Sequence, residues 1–319
     1  MDIKFQKYKL LLAVIFGLLP VFSYAQATNT DSVLIFSYFK GNGEDGLHLA
    51  YSYDGLQWAS LKGDSSFLTP TVANDKLMRD PCIIRGGDGR FHMVWTVSWN
   101  DQGIGYAHSK DLVNWSEQVF IPVMKQEPAT LNTWAPEVFY DANTKQYIIF
   151  WSSTIPGRFP KTEGNGDDKY NHRIYYTLTR DFKSFTPTAL LYDQGFNVID
   201  ASIYKTGNTY TMLLKDETLK PSPEKNIRIA TSKQLTGPYS KPSEPISGKT
   251  WAEGPTMIYH KGYWWMYYDQ YTAKQYACLR SKDLRQWEDM SPQLRFPPGA
   301  RHGTVIKISA AEFKQVKQP

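Results

Sequence analysis

Cysteine is nearly absent: Cys82 and Cys278 are the only two in 319 residues. That excludes a disulfide scaffold. The pair falls in the second and fifth of the repeats described below, which are not neighbours in a ring of five, so packed thiols are expected rather than a bridge. Long apolar runs are equally scarce. The one present, Leu10 to Phe22, has 13 residues and is too short to span a bilayer comfortably. Lys4, Lys7 and Lys9 precede it and Ser23-Tyr24-Ala25 ends it on a small residue. This is the pattern of a secretory signal peptide over residues 1–25, cut before Gln26, and no Cys follows that could carry a lipid. Export to the periplasm or the medium is the expectation, with no transmembrane segment, as a monomer. Charge of one sign is also in short supply. The net charge is +5, and +3 without the leader, from 33 basic and 30 acidic residues. With no basic run beyond the leader, a nucleic-acid partner is not expected.

Aromatic residues are abundant, at 15% of the chain with 21 Tyr and 10 Trp. In Tyr263-Trp264-Trp265-Met266-Tyr267-Tyr268 alternate residues face opposite sides of a strand, so much of this is sheet packing. Aromatic rings also suit carbohydrate, because the C–H faces of sugars stack on them. The stretch from Arg79 to Trp115 reads as strands at 82–85, 90–96 and 104–108, closed by a polar corner, Ser109-Lys110-Asp111-Leu112, and an aromatic anchor. That corner recurs at Ser52, Thr179 and Ser281, and in degenerate form at Ser232. The five starts are 57, 70, 53 and 49 residues apart. Short strands repeated at this period indicate propeller blades. The expected fold is all-β, a five-bladed β-propeller over residues 26–319. Blade one is incomplete at its start, and Thr304-Val305-Ile306-Lys307-Ile308 is a lone strand after the fifth repeat. Pairing of these N- and C-terminal strands would close the ring.

Two other stretches draw notice. Gly41 to Gly46 matches G-x-G-x-x-G, but a strand follows it rather than a helix, so it reads as a hairpin turn. The long polar insertion at 156–171 reads as a rim loop, with a lid over the site as one role for it. Its Gly164-Asn165-Gly166-Asp167-Asp168 lacks the spacing of a calcium loop.

The first strand of each blade lies nearest the axis, and all five start on one face. Those starts are Asp80-Pro81, Trp134-Ala135-Pro136-Glu137, Asp200-Ala201, Glu253-Gly254-Pro255 and Arg301-His302-Gly303. Two Asp and one Glu are thus expected at equivalent positions around one axis, a costly concentration of charge unless it has a use. Singly, each is explained as a turn residue that satisfies backbone N–H groups. Together they suit glycoside hydrolysis with inversion. There one carboxylic acid protonates the leaving oxygen while an opposing carboxylate activates water, and a third carboxylate raises the acid's pKa.

The motifs carry a resemblance over essentially the whole length after the leader. Arg79-Asp80-Pro81-Cys82-Ile83-Ile84, Trp134-Ala135-Pro136-Glu137-Val138, Val198-Ile199-Asp200-Ala201-Ser202, Trp251-Ala252-Glu253-Gly254-Pro255 and Arg301-His302-Gly303-Thr304-Val305 resemble, in order, the segments of glycoside hydrolase family 43. The resemblance implies a five-bladed inverting enzyme in which Asp80 is the general base, Asp200 the pKa modulator and Glu253 the general acid. Ala201 stands where the family often has Pro. The implied sugar contacts are Trp134, Arg301 and Trp99, with Glu137 structural or substrate-orienting rather than catalytic. No cofactor is required. His302 falls near the axis, where some relatives hold a structural calcium through water; a hydrogen-bonded core histidine is the equal alternative.

A fructan-cleaving propeller would need an Asn-Asp-Pro-Asn-Gly segment before Arg79, and none is there. A sugar-binding propeller without catalysis would have lost one of the three acids, and all are present. Among family substrates, the insertion walling off one end of a groove favours an exo-acting α-L-arabinofuranosidase. β-Xylosidase, endo-arabinanase and galactan-cleaving activities are the alternatives.

Overall fold

The computed structural model describes residues 32–318; the signal peptide expected over residues 1–25 lies outside them. The chain forms five antiparallel sheets. Blade 1 holds β1 (Ser32–Tyr38), β2 (His48–Ser52) and β3 (Ala59–Ser60), and blade 2 holds β4 (Arg79–Arg85), β5 (Phe91–Thr96), β6 (Ile104–Ser109) and β7 (Val119–Ile121). Blade 3 follows with β8 (Trp134–Asp141), β9 (Gln146–Ser153), β10 (Arg173–Thr179) and β11 (Ala189–Tyr192). Blade 4 has β12 (Val198–Thr206), β13 (Thr209–Asp216) and β14 (Asn226–Ser232). Blade 5 has β15 (Glu253–His260), β16 (Tyr263–Gln270), β17 (Gln275–Ser281) and β18 (Glu288–Asp289), and β19 (Val305–Ser309) and the helix α1 (Ala310–Val316) end the chain.

β19 pairs antiparallel with β1, from Ser32 opposite Ser309 to Phe36 opposite Val305, so the last strand completes the first blade as expected. It becomes that blade's inner strand. The inner strands then touch in the order β19, β4, β8, β12, β15 and back to β19. Closure leaves no open edge at the junction.

The inner and middle strands bury residues on both faces, because each blade is covered on both sides, whereas the outermost strands β3, β7 and β18 are largely exposed. The core is accordingly five clusters, one per gap between blades. Val33 and Ile35 face blade 2, while Leu34 and Phe36 face blade 5. On β16, Trp265 and Tyr267 pack toward blade 1, and Met266 and Tyr268 toward blade 4. Fully burying one such Phe or Leu contributes about 1.5–3 kcal/mol.

The repeated corner has a hydrogen-bond logic. Ser109 Oγ accepts from Leu112 N at 2.9 Å, and Asp111 Oδ1 accepts from Val113 N at 2.9 Å and Asn114 N at 2.7 Å. Ser52 with Asp54 and Ser281 with Asp283 do the same. The fourth corner, Ser232-Lys233-Gln234, has no Asp, and blade 4 has only three strands. Its edge is followed by Pro238, Pro242 and Pro245, which cannot donate to a ladder. The segment still bonds to β14 through Ser240 N, Ser243 N and Ile246 N at 2.8–2.9 Å. Cys82 and Cys278 are buried and unpaired. No helix among the described residues is long and apolar enough to cross a membrane.

Candidate active site

The inner strands share a kink at their starts. In β4, β8, β12 and β15 the ladder shifts register at 79/82, 134/137, 199/202 and 253/256. The residue after the last pair before the shift is left-handed each time: Asp80 (φ 52°), Ala135 (46°), Asp200 (53°) and Gly254 (58°). The lone Phe39–Arg301 bridge before β19 shows the same slip and puts His302 in the fifth such place. Such bulges re-aim a side chain and persist where the surroundings enforce them.

Asp80 and Asp200 therefore occupy equivalent positions, as expected, but Glu253 does not. It pairs with Asp269 and stands one residue earlier, level with Arg79, Trp134, Ile199 and Arg301. The reason is steric. A Cβ at Gly254 would lie 2.5 Å from the His302 ring, so blade 5 can offer a carboxylate only from the preceding place. Gly303 is equally constrained, since a Cβ there would reach 1.7 Å from Ser37 O.

Hydroxyls at the ends of second strands stitch the blades together. Thr96 Oγ1 donates to Asp80 Oδ2 at 2.7 Å and accepts from Ala135 N at 2.8 Å. Ser152 Oγ accepts from Asp200 N at 3.2 Å, and Asp200 Oδ2 accepts from Gly254 N at 3.0 Å. His302 Nδ1 sits between the two aspartates, 3.3 Å from Asp80 Oδ1 and 3.8 Å from Asp200 Oδ2.

This geometry separates the proton affinities. Burial would raise Asp80, but the His302 cation, Arg79 and the Thr96 hydroxyl bring it down to about 2. Burial raises Asp200 to about 6, helped by the charges of Glu253 and Asp80. Glu253 is lowered despite burial, because Lys215 and Arg301 face it. Burial opposes the charge on His302, yet Asp200 and Asp80 raise it to about 10. Asp269 rises to about 6 through burial and the charge of Glu253.

Asp80, Asp200, Glu253, Trp99, Trp134, Arg301 and His302 line one cavity of about 380 Å³. Trp99 and Trp134 meet edge to face at 5.4 Å, and Trp134 Nε1 donates to Trp99 O at 3.0 Å. Arg301 donates to Glu253 Oε1 at 2.8 Å and to Asp269 Oδ2 at 3.2 Å. Glu137 does not reach the wall. It is buried on the axis beneath, where Cys82 Sγ (3.1 Å) and Thr304 Oγ1 (3.4 Å) donate to it, and burial pushes it up to about 7.

Other wall residues were not anticipated: Asn42, Thr96, Lys215, Glu217 and Tyr271. Asn42 comes from the glycine-rich hairpin turn, and its Oδ1 accepts from Arg79 (3.1 Å) and Trp99 Nε1 (3.2 Å). Thr96, Ser152, Lys215 and Asp269 are the partners across from the residues just before each kink. Polar endings of second strands are thus the signal that would have found them.

The insertion is pinned rather than free. Arg158 makes a forked pair with Glu127 at 2.8–2.9 Å, and Asp167 bonds to Lys225 at 2.5 Å. Tyr170 packs on Trp134 with ring centres 4.6 Å apart, so the insertion braces a wall residue, although none of its own residues lines the cavity.

Asp200 and Asp80 favour the protonated form of His302, whose Nδ1 lies 3.3 Å from Asp80 Oδ1. Among the described residues no group of three or more His, Cys, Asp or Glu is arranged for a metal ion. The imidazolium itself supplies the positive charge there.

Comparisons with known proteins point to one family. The glycosyl hydrolase 43-related family model, described as "Probable glycosyl hydrolase domain", matches residues 31–314. An alpha-L-arabinofuranosidase of Bifidobacterium longum is 26% identical over 191 residues, covering 52% of this chain but only 18% of that protein. The chain thus spans about a fifth of the length of this curated relative. Among solved structures, a thermostable family-43 glycoside hydrolase aligns with a TM-score of 0.51 at 19% identity, covering 66% of this chain and 71% of the other. A Bacillus subtilis arabinanase aligns at 0.50 and 17% identity, covering 74% and 82%. At these identities the structures speak for the fold.

Proposed function

The chain belongs to the glycosyl hydrolase 43-related family, and on that premise we propose that it hydrolyses glycosidic bonds of plant-type saccharides with inversion. One observation carries the reading. Three carboxylates from three blades line a single cavity, and their surroundings set their proton affinities apart, with Asp80 at about 2 and Asp200 at about 6. The low affinity of Asp80 suits a base; the acid role of Glu253 is carried by its place in the family motif, since Lys215 and Arg301 hold its own affinity down. Asp80, ionised and oriented by Thr96 and His302, is the base that activates water. Glu253 is the acid and Asp200 its modulator, a like charge that opposes ionisation of the acid. Arg301 is partly open to the cavity. When a sugar hydroxyl takes its place against Arg301, one cation leaves Glu253, whose proton affinity rises as the leaving oxygen needs the proton.

The substrate most favoured is a terminal α-L-arabinofuranosyl residue. A cavity of about 380 Å³ lies at the small end of ligand pockets, about 300–1,000 Å³. So small a space suits removal of a terminal sugar, and the curated relative carries that activity's name. Trp134 and Trp99 would stack on the ring. Screening aryl glycosides and plant polysaccharides tests the class and the sugar together. Proton NMR during early turnover should show the released sugar first in inverted configuration. A product first seen with retained configuration would overturn the roles of Asp80 and Glu253.

A further inference from the structure

Glu253 is held by cations on both oxygens. Arg301 donates to Oε1 at 2.8 Å and Lys215 to Oε2 at 3.2 Å. The two cations differ in freedom. Arg301 keeps about a third of its side chain exposed, whereas Lys215 keeps 4%. Lys215 is also tied to Glu217 Oε2 at 2.6 Å. Glu217 Oε1 in turn meets Lys225 at 2.5 Å, and the fully buried Lys225 meets Asp167 of the insertion at 2.5 Å. Charges alternate along the row Asp167, Lys225, Glu217, Lys215, Glu253, Arg301, Asp269.

Resting on the reading of Glu253 as the acid, we propose that Lys215 is its positioning residue. It fixes Oε2, leaves Oε1 to carry the proton toward the sugar, and weakens the hold of Glu253 on that proton to a degree set by Glu217. Buried ion pairs add little stability over apolar packing of the same volume, so a row this long needs a use other than holding the fold. It runs to the one carboxylate that must gain and lose a proton. Among second-strand endings that face the kinks, blades 2 and 3 offer the hydroxyls Thr96 and Ser152, blade 5 an aspartate, and blade 4 alone a cation. The other charged or titratable groups facing Glu253 are Asp200 from β12, Asp269 and Tyr271 from β16 and the turn after it, and Arg301 and His302 before β19.

Two substitutions give opposite signs. Lys215→Met removes a cation at nearly constant length, so the basic limb of kcat/KM on an aryl glycoside should move to higher pH by about one unit or more. Asp200 also loses a facing cation and moves the same way, so the sign holds whichever of the two carries the proton. Glu217→Gln leaves the Lys215 charge less compensated, and the limb should move to lower pH. A residue that merely supported the fold would lower rates in both variants without moving the limb in opposite directions. Titrating Glu253 with a ¹³C-labelled carboxyl reads the same shifts without substrate. Opposite shifts support the proposal; a fixed limb, or shifts of one sign in both variants, overturns it. If the wild-type protein cleaves no glycoside, the hydrolase reading falls, and the carboxyl titration still decides whether Lys215 governs Glu253.

Discussion

A general acid matters in proportion to how badly the leaving oxygen needs a proton. A sugar alkoxide is a poor leaving group and a nitrophenolate a good one. Glu253→Gln should therefore cost about 10²–10⁴-fold in kcat/KM on an oligosaccharide and distinctly less on a nitrophenyl glycoside. Asp80→Asn removes activation of the water, which both substrates need, so its losses should match. Asp200→Asn takes a like charge from beside Glu253, and the basic limb should move to lower pH. Equal losses for Glu253→Gln on the two substrates would remove it as the acid. At this scale the sequence was informative where an acid sits in a short motif beside Pro or Gly, as at Asp80-Pro81 and Glu253-Gly254-Pro255. It was misleading about alignment, because the one-residue offset of Glu253 depends on the His302 ring filling the space beside Gly254, a contact between segments 48 residues apart. Lys215 was silent. A lysine ending the run Met212-Leu213-Leu214 reads as a solvated strand end, and only the ring brings Glu253 to it.

Elements were more legible than residues, since each strand announces itself through β-branched and aromatic runs between Gly and Asp. The insertion was the exception. Its length and polar composition read only as a rim loop, with a lid as one role for it, yet it is organised around Arg173, which is 1% exposed. That guanidinium bonds to Asp193 at 2.6 Å, Asn171 at 3.0 Å and Thr162 at 2.7 Å, and stacks 4.2 Å above Phe159. A polar segment becomes rigid when a buried cation satisfies several of its acceptors at once. Arg173→Met should loosen the insertion without opening the blades. Limited proteolysis should then cut within residues 157–170 at protease levels that spare the wild type, and KM should rise more than kcat falls, because Tyr170 no longer backs Trp134. Unchanged resistance would mean that the Lys225 and Arg158 ties suffice to hold it.

For the whole molecule, the repeat spacing and the stray last strand implied a closed ring of five, and β19 against β1 is that closure. The joint is reinforced beyond strand pairing. Ser309 caps α1 through a reciprocal bond with Glu312, and Phe313 and Val316 join Val33, Ile35 and Ile308 in the cluster between blades 1 and 2. Arg301 and His302 immediately precede the closing strand, so assembling the site and closing the ring are one event. Ile308→Ala should cost about 2–5 kcal/mol through lost burial and the cavity left behind. Because every inner strand leans on two neighbours, that loss should lower the midpoint of a single unfolding transition rather than create a second. Activity and tryptophan fluorescence, followed on the same sample through a urea gradient, should then fall together in the variant as in the wild type. The joint has its own local stability if activity disappears first, since Arg301 and His302 would leave the carboxylates while the five apolar gaps still held. Coincident curves mean that the ring, and with it the charge balance around Asp80, Asp200 and Glu253, exists only as a whole.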